Sequence, residues 1–347
     1  MEFGKSLSDR DVHILDPFVG TGNFVVRVMQ EIKKTALPYK YANELHCNEV
    51  MLLPYYIASM NIEHAYLEAT GEYKPFDGIC LVDTFELEEK QQDSLFTAEN
   101  TARVKKQKQT PIFVVIGNPP YNAWQESEND NNKNRKYKFL DSRIKETYGH
   151  ASTATNKNNL LDPYIRAIRW ATDRIGSEGV VCLVTNNGFL ESIAADGMRK
   201  CLLDDFDSIY ILDLGGNVRK NPKLSGTTNN VFGIKVGVSI NILVCKKGFQ
   251  SSRLRYARTD EFWTRTQKEI YLAHHSDLTR IRWTQLSPRN GVWLTEGIES
   301  SFEKFAPIGN KYERATSFEQ AESIFFSFSG GIKTSRDAWA INFDLEL

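Results

Sequence analysis

The sequence lacks several features that would place it in a large class of proteins. No apolar run approaches the ~20 residues of a membrane-spanning helix, and the polar start, 1–11, is not a signal peptide. The five cysteines form no Cys-x-x-Cys pair, which argues against a zinc site and fits a cytoplasmic, reduced compartment. The net charge of −1 neither supports nor excludes a nucleic-acid partner, because basic residues can be confined to one face.

The composition is that of an ordinary globular protein, with 41% hydrophobic and 25% charged residues. Apolar segments of strand length alternate with longer helical stretches, which is typical of a parallel α/β sheet. The predicted strands cover 12–16, a stretch ending within 45–50, 78–83, 112–117, 179–185, 208–214 and 238–247. The predicted helices cover 23–34, 52–62 and 160–175.

Two polar stretches interrupt this alternation. The Lys-rich stretch 91–109 is predicted to be a solvated loop, and the longer insertion 122–159 is of a length that is usually functional or disordered. After residue 248 the alternation weakens and tryptophans become frequent. We therefore expect one domain over 1–248 and a C-terminal region over 249–347.

The first chemical signal is the segment DPFVGTGNF, residues 16–24, between a predicted strand and a predicted helix. Gly20 and Gly22 allow a ligand to approach the main chain closely at this edge of the sheet. Val25 stands where a dinucleotide-binding loop would have its third glycine, and Asp16 suits an ammonium group better than a phosphate. The loop predicts a cationic or zwitterionic ligand, which S-adenosylmethionine fits, and a plain strand-to-helix turn is the lesser alternative.

Acidic residues at the next two strand ends are candidate ligands of a nucleoside. Glu49, which precedes an apolar helix, is the candidate for the ribose hydroxyls, and Glu44 is an alternative that lies earlier. Asp83 can accept a hydrogen bond from an adenine amino group, with Phe85 against the ring. A helix N-cap is an equally good interpretation of Asp83.

The sharpest signal is GNPPY, residues 117–121, directly after the fourth predicted strand. The N6 nitrogen of adenine is a poor nucleophile, because its lone pair is delocalised into the ring. Two hydrogen-bond acceptors, one for each N–H group, favour a more tetrahedral nitrogen and make the lone pair available for methylation. The Asn118 side-chain oxygen and the Pro119 carbonyl can be those acceptors, on a backbone that prolines stiffen in advance. Tyr121 offers a face on which a flipped-out base can stack. A proline-rich turn or recognition segment is the lesser alternative.

These motifs resemble those of the N6-adenine amino-methyltransferases of DNA over residues 12–247. The chain is most similar to the methylase part of single-polypeptide, type I-like restriction-modification enzymes. That resemblance rests on the segments DPFVGTGNF, ELHCNEVMLLPYYIASMNIEH, IGNPPYN and GGIKTSRDAW. It implies a Rossmann-like, S-adenosylmethionine-dependent methyltransferase fold, with a seven-stranded, mostly parallel sheet, helices on both faces and a partial C-terminal region.

The resemblance also implies roles for individual residues, and no metal. The cofactor-binding residues would be Asp16, Pro17, Phe18, Gly20, Gly22, Glu49, Asp83 and Phe85. The catalytic residues would be Asn118, Pro119, Pro120 and Tyr121. The segment 185–190 would lie beside the target pocket, and Phe232 would cover the second face of the base unless it is a core or hairpin aromatic.

The insertion 122–159 is a candidate contact for the phosphate backbone, with a solvated flexible loop as the alternative. The basic residues concerned are Lys133, Arg135, Lys136, Lys138, Arg143 and Lys145, with Tyr137 and Phe139 interleaved. Family members carry a cofactor-contacting segment before the first motif and a separate target-recognition domain. We therefore expect a fragment of a longer chain, whose partners include DNA and a helicase-nuclease region or subunit.

The sequence thus predicts a DNA methyltransferase that modifies adenine N6 in a bacterial restriction-modification system. Three alternatives stay open. The same motif serves enzymes that methylate RNA or protein glutamine, and a non-catalytic DNA-binding subunit would keep the fold. A nicotinamide-dependent oxidoreductase is disfavoured by the missing third glycine.

Overall fold

In the computed structural model, a β-sheet is the central element of the residues that can be described: 3–87, 97–120, 135–218, 221, 228–246, 248, 252–289, 291–294 and 324. Its strands are β1 His13–Asp16, β2 Leu45–Glu49, β3 Ile79–Leu81, β4 Ile112–Gly117, β5 Gly179–Asn186, β6 Ser208–Gly215, β7 Val238–Cys245, β8 Arg253–Arg258 and β9 Thr284–Leu286. The α-helices are α1 Asn23–Glu31, α2 Leu37–Asn43, α3 Leu52–Thr70, α4 Ala98–Gln109, α5 Lys138–Ile144, α6 Pro163–Ile175, α7 Asp196–Asp205 and α8 Arg265–His274.

The strand order is β3-β2-β1-β4-β5-β7-β6-β8-β9, and only β7 and β9 run against the other strands of this described sheet. The order reverses between β1, which is followed along one side by β2, and β4, which is followed along the other by β5. Such a switch point creates a crevice at the carboxyl ends of the parallel strands. The predicted α/β, Rossmann-like class is confirmed, and the strand count is corrected from seven to nine among the described residues.

Helices cover both faces of the sheet, as the alternation of buried side chains along single strands shows. Leu15 and Val115 pack in one apolar cluster with α5, α6 and α7. Their neighbours Ile14 and Val114 pack in another with α1, α2 and α3. Among the residues with described positions, none of these helices is long and apolar enough to cross a lipid bilayer.

The sheet continues beyond the predicted seventh strand, because β8 pairs in parallel with β6 and β9 pairs with β8. The buried Trp293 packs edge-on against Phe189 in the same apolar cluster as α6. One compact unit spans Met1–Leu294, and Thr295–Leu347 form a second unit. A functional division near residue 248 stays a prediction.

The prediction of a loop over 91–109 is wrong for residues 98–109, which form α4. Thr97 caps this helix by accepting a hydrogen bond from the Asn100 backbone N–H, and Ala, Glu, Lys and Gln favour helix inside it. Only Val104 and Gln107 of α4 are buried. The prediction failed because a helix with so few buried positions shows no apolar periodicity in its sequence.

The insertion 122–159 is likewise partly helical where it is described. It contains α5, a π-helical turn at Lys145–Gly149 and a 3-10 turn that starts at Asn158. Its apolar side chains enter the core beside α6, where Leu140, Ile144 and Tyr148 are buried. A solvated flexible loop is therefore the wrong description of residues 138–149, whereas residues 152–157 are irregular and partly exposed.

Candidate active site

The sheet brings the sequence motifs together at one edge. β3, β2, β1 and β4 are neighbouring parallel strands, so their carboxyl ends lie side by side at the edge of the sheet that contains the switch point between β1 and β4. Glu49 ends β2, Asp16 ends β1 and Asn118 follows β4, while Asp83 comes two residues after β3. Four polar side chains that are far apart in the sequence thus line one crevice.

The glycine loop after β1 is bound to the end of β2. Gly20 has a positive φ of 54°, and a Cβ built there would meet no atom within 4 Å, so the space beside its backbone is open. Its N–H donates to Glu49 Oε2 at 3.0 Å. Gly22 also has a positive φ, 90°, and lies so close to Ala58 of α3 that a Cβ would stand 3.3 Å from that backbone. Glycine is thus needed at position 20 for conformation and at position 22 also for packing.

Glu49 and its alternative, Glu44, lie at opposite ends of β2. Glu49 Oε1 accepts the backbone N–H groups of Val50 and Met51 at 2.9 and 2.8 Å, which fixes the carboxylate in the crevice. Glu44 is buried in an ion pair with Lys40, away from that edge. A role for Glu49 toward a ribose stays a prediction, but Glu49 is the acid that lies beside the glycine loop.

Asp16 is buried between the glycine loop and the end of β4. Its Oδ1 accepts the Phe18 N–H at 3.0 Å, and its Oδ2 is buried without a hydrogen-bond partner among the described residues. Burial, together with the nearby carboxylate of Glu49, raises the pKa of Asp16 to about 7. A buried carboxyl oxygen without a donor is a site at which a cationic ligand would bind favourably.

Gly117 leaves room for that carboxylate. A Cβ at Gly117 would stand 2.7 Å from Asp16 Oδ1, closer than real Cβ contacts allow. The next residue, Asn118, is partly buried, and within the described part of the chain its Oδ1 has no hydrogen-bond partner. Pro119 is buried and Pro120 is exposed. Tyr121 lies outside the described residues, so its predicted role stays a prediction.

Asp83 is held by protein groups on both of its oxygens. Oδ1 accepts the Phe85 N–H at 3.0 Å and thereby caps the 3-10 turn Thr84–Glu86, so the capping interpretation is a structural fact. Oδ2 accepts the Tyr137 hydroxyl at 2.9 Å. Phe85 is buried, with its ring centroid 5.3 Å from that of Phe18.

Sequence reasoning missed a buried polar connection beneath the glycine loop. Asn48 donates to Thr84 Oγ1 at 3.1 Å, and Thr84 donates to the Pro17 carbonyl at 2.6 Å. The backbone carbonyl of Asn48 also accepts the Val19 N–H at 3.0 Å. An asparagine in the middle of a predicted strand was the available signal, because a buried side-chain amide requires hydrogen-bond partners.

The predicted target side lies at the ends of β5 and β6. Asn187, which follows β5, donates to Asp213 Oδ1 at 2.8 Å, and Arg199 donates to the Phe189 carbonyl at 2.5 Å. Both contacts fix the segment 185–190. Phe232 is 45% exposed, on a turn in which its N–H donates to the buried Asn230 side chain. An exposed aromatic is available for stacking, which stays a prediction.

The basic residues of the insertion are not equally available. Arg135 forms ion pairs with Asp83 and Glu86, and Arg143 pairs with Asp173. Lys136 and Lys138 are exposed. Lys133 lies outside the described residues.

Sheet order and the polar crevice together define a Rossmann-like methyltransferase fold. The chain belongs to the Eco57I restriction-modification methylase family, whose model matches residues 33–219.

Three solved structures are similar to this chain over most of its length. The ATP-dependent Type ISP restriction-modification enzyme LlaBIII bound to DNA has a TM-score of 0.85 and 39% identity, over 97% of this chain and 23% of that chain. A cryo-EM structure of the DrdV-DNA complex has a TM-score of 0.87 and 40% identity, over 97% and 33%. A nuclease-deletion mutant of the Type ISP enzyme LlaGI with a DNA substrate mimic has a TM-score of 0.83 and 36% identity, over 89% and 26%. This chain spans at most a third of the length of these proteins.

Proposed function

We propose that this chain is an S-adenosylmethionine-dependent DNA methyltransferase that modifies the exocyclic N6 of adenine. The observation that supports this most is the buried Asn118 Oδ1, which has no donor among the described residues and follows β4 at the switch point. An unused buried acceptor costs free energy, of about 1–3 kcal/mol, unless a ligand supplies the donor. The adenine amino group is such a donor.

The residues of the crevice fit the cofactor from end to end. The unpartnered oxygen of Asp16 suits the ammonium group of the methionine part, and the open space beside Gly20 permits close approach to the backbone. Glu49 uses three of its roughly four acceptor positions on backbone N–H groups, which leaves one for a ribose hydroxyl. Asp83 accepts a hydrogen bond from the adenine amino group of the cofactor, and Phe85 lies against the adenine ring. When bound, S-adenosylmethionine supplies an electrophilic methyl group.

The residues after β4 prepare the nucleophile. The N6 lone pair of adenine is delocalised into the ring, so the amino group is a poor nucleophile. Asn118 Oδ1 and the Pro119 carbonyl accept hydrogen bonds from the two N–H groups of this nitrogen. These bonds favour a tetrahedral nitrogen, whose lone pair is available to attack the methyl group. Pro119 and Pro120 fix this backbone before the substrate binds, which avoids reorganisation during the reaction.

DNA is the polymer that the comparisons support. LlaBIII and LlaGI, at 39% and 36% identity, were solved with DNA or a DNA substrate mimic. A base inside a duplex cannot enter a crevice at the sheet edge, so we propose that the target adenine is flipped out. In the complete protein, a target-recognition part and an ATP-dependent nuclease part would act with this chain. Because the substrate is cellular DNA, we place the protein in the cytoplasm.

The test is to incubate the chain with labelled S-adenosylmethionine and unmethylated bacterial DNA, and then to identify the methylated nucleoside. RNA and protein acceptors are assayed in parallel. We expect N6-methyladenine from the wild type and from Asn43→Ala, a surface control on α2, and none from Asn118→Ala. Label in RNA or in protein glutamine would refute the choice of substrate. DNA binding without cofactor binding would instead indicate a non-catalytic subunit.

A further inference from the structure

Tyr137 lies where the chain returns to the sheet after the N-P-P-Y segment. It directly precedes α5 and is only 3% exposed. The sequence placed it among basic residues as part of a DNA-contacting insertion. In the structure its ring is enclosed by protein, so it is not a DNA-facing residue.

The backbone and the ring of Tyr137 are fixed by a buried ion pair. Its N–H donates to Asp141 Oδ2 at 3.2 Å. Arg166 donates to both oxygens of Asp141, at 2.8 and 3.0 Å, and its guanidinium lies 5.1 Å from the centroid of the Tyr137 ring. A bidentate pair of this kind defines orientation as well as adding energy. The Tyr137 hydroxyl therefore has a defined position.

That hydroxyl is bonded to the acid at the adenine end of the proposed cofactor site. It donates to Asp83 Oδ2 at 2.9 Å. The Tyr137 ring also meets the Phe85 ring edge-on, with centroids 5.2 Å apart. Asp83 and Phe85, the two residues assigned to the adenine of the cofactor, thus both contact Tyr137, which itself has no role in the proposed chemistry.

The charges are consistent with this arrangement. Burial raises the pKa of Asp83, and the hydrogen bond from Tyr137 is the largest effect that lowers it. Burial also raises the pKa of Tyr137, so the hydroxyl keeps its proton and donates. Arg135 adds a longer contact of 3.4 Å to the same Asp83 oxygen, but it is half-exposed and also pairs with Glu86.

We propose that Tyr137 is a positioning residue, which orients the Asp83 carboxylate so that its remaining acceptor position receives the amino group of the cofactor adenine. This inference rests on the proposed function. Asp83 Oδ1 uses one acceptor position on Phe85, and Oδ2 accepts from Tyr137 and Arg135, so the remaining acceptor position is on Oδ1. Without the tyrosine hydroxyl, the carboxylate can rotate and this acceptor is lost.

The consequence is selectivity for a base with a 6-amino group. In a base with a carbonyl at that position, the carbonyl oxygen cannot donate a hydrogen bond to the Asp83 carboxylate. The orientation of Asp83 therefore adds nothing to the binding of such a base. Loss of the Tyr137 hydroxyl should therefore weaken binding of the adenine form and leave the carbonyl form unaffected. A purely structural role would weaken both forms equally.

The experiment is calorimetric binding of S-adenosylhomocysteine and S-inosylhomocysteine to the full 347-residue chain. Tyr137→Phe is compared with the wild type and with Tyr148→Phe. Tyr148 is a matched control, because it is fully buried in the same cluster and its hydroxyl has no partner among the described residues. Thermal unfolding of each variant checks the fold.

For Tyr137→Phe we expect S-adenosylhomocysteine to bind about tenfold more weakly, since an acceptor for the base amino group is lost. S-Inosylhomocysteine should bind within about twofold of its wild-type affinity, and Tyr148→Phe should change neither. An equal loss for both ligands, or a Tyr137→Phe variant that behaves like Tyr148→Phe, would overturn the inference alone. A wild-type chain that binds neither ligand would overturn the proposed function as well.

Discussion

Cofactor binding should depend on pH through Asp16, the buried carboxyl group at the end of β1. Burial raises the pKa of Asp16 to about 7, whereas the ordinary value is 3.8. A cationic ammonium group is attracted to the carboxylate and not to the carboxylic acid. The affinity should therefore rise as the pH increases toward 7.

The size of the effect follows from the ionised fraction of Asp16. For a pKa of about 7, this fraction grows from about 3% at pH 5.5 to about 50% at pH 7.0, which is a gain in affinity of roughly 16-fold. The window stays below the pH at which an α-amino group loses its proton, about 7.7–8.0. The change in affinity can therefore be attributed to the ionisation of a protein group and not to that of the ligand.

The assay is calorimetric titration with S-adenosylmethionine across this window, for the wild type and for Asp16→Asn. The variant keeps an oxygen that can accept the Phe18 N–H but has no titrating group. It should bind weakly and with little dependence on pH. Burial also raises the pKa of Asp83, and any slope from that group is common to both proteins and cancels in the comparison.

The ligand-free protein should show the opposite trend in stability. Because the folded pKa of Asp16 lies above the unfolded value of 3.8, the contribution to stability is present at low pH and is lost as the pH rises through 7. The whole loss, between pH 3.8 and about 7, is at most about 4 kcal/mol, of which about 2 kcal/mol falls between pH 5.5 and pH 8. Asp16→Asn should remove this loss, as urea unfolding at pH 5.5 and 8 would show. A wild-type affinity that is flat across the window, or a variant with the same slope, would refute the reasoning.

Two further predictions concern space and charge. Gly117→Ala places a Cβ 2.7 Å from Asp16 Oδ1, so the carboxylate must move; we expect a loss of cofactor affinity of about tenfold or more by calorimetry, with a small change in melting temperature. Replacing the exposed Lys136 and Lys138 by alanine should lower the slope of log affinity for DNA against log salt by about 1.8, if both contact phosphates.

Each of these changes has a control within the chain. Gly149→Ala meets its nearest atom at an ordinary 3.5 Å and should leave cofactor affinity unchanged. Alanine at the exposed Lys105 and Lys106 of α4 removes the same charge at another place. Normal cofactor binding by Gly117→Ala would contradict the packing argument. An unchanged salt slope for the insertion variant would remove that region from the DNA contact.

Local patterns in the sequence were sufficient for the fold class and for the position of the crevice. Buried strands, glycines with positive φ and stiff proline pairs are properties of a few consecutive residues, and all seven predicted strands are present. The same patterns failed for α4, which buries too few side chains to show a period. They also did not predict β8 and β9, which follow the point where the alternation weakens.

Only the tertiary structure decided which groups share the crevice. Asp83 and Tyr137 are 54 residues apart, and their hydrogen bond exists because α5 packs on α6 and returns the chain to the end of β3. Asp16 acquires its raised pKa from burial against the end of β4, and Gly117 is required there because of a carboxylate about 100 residues earlier in the chain. Motifs are determined by near neighbours in sequence, whereas burial, charge and the sharing of hydrogen bonds depend on contacts that form only when distant segments meet.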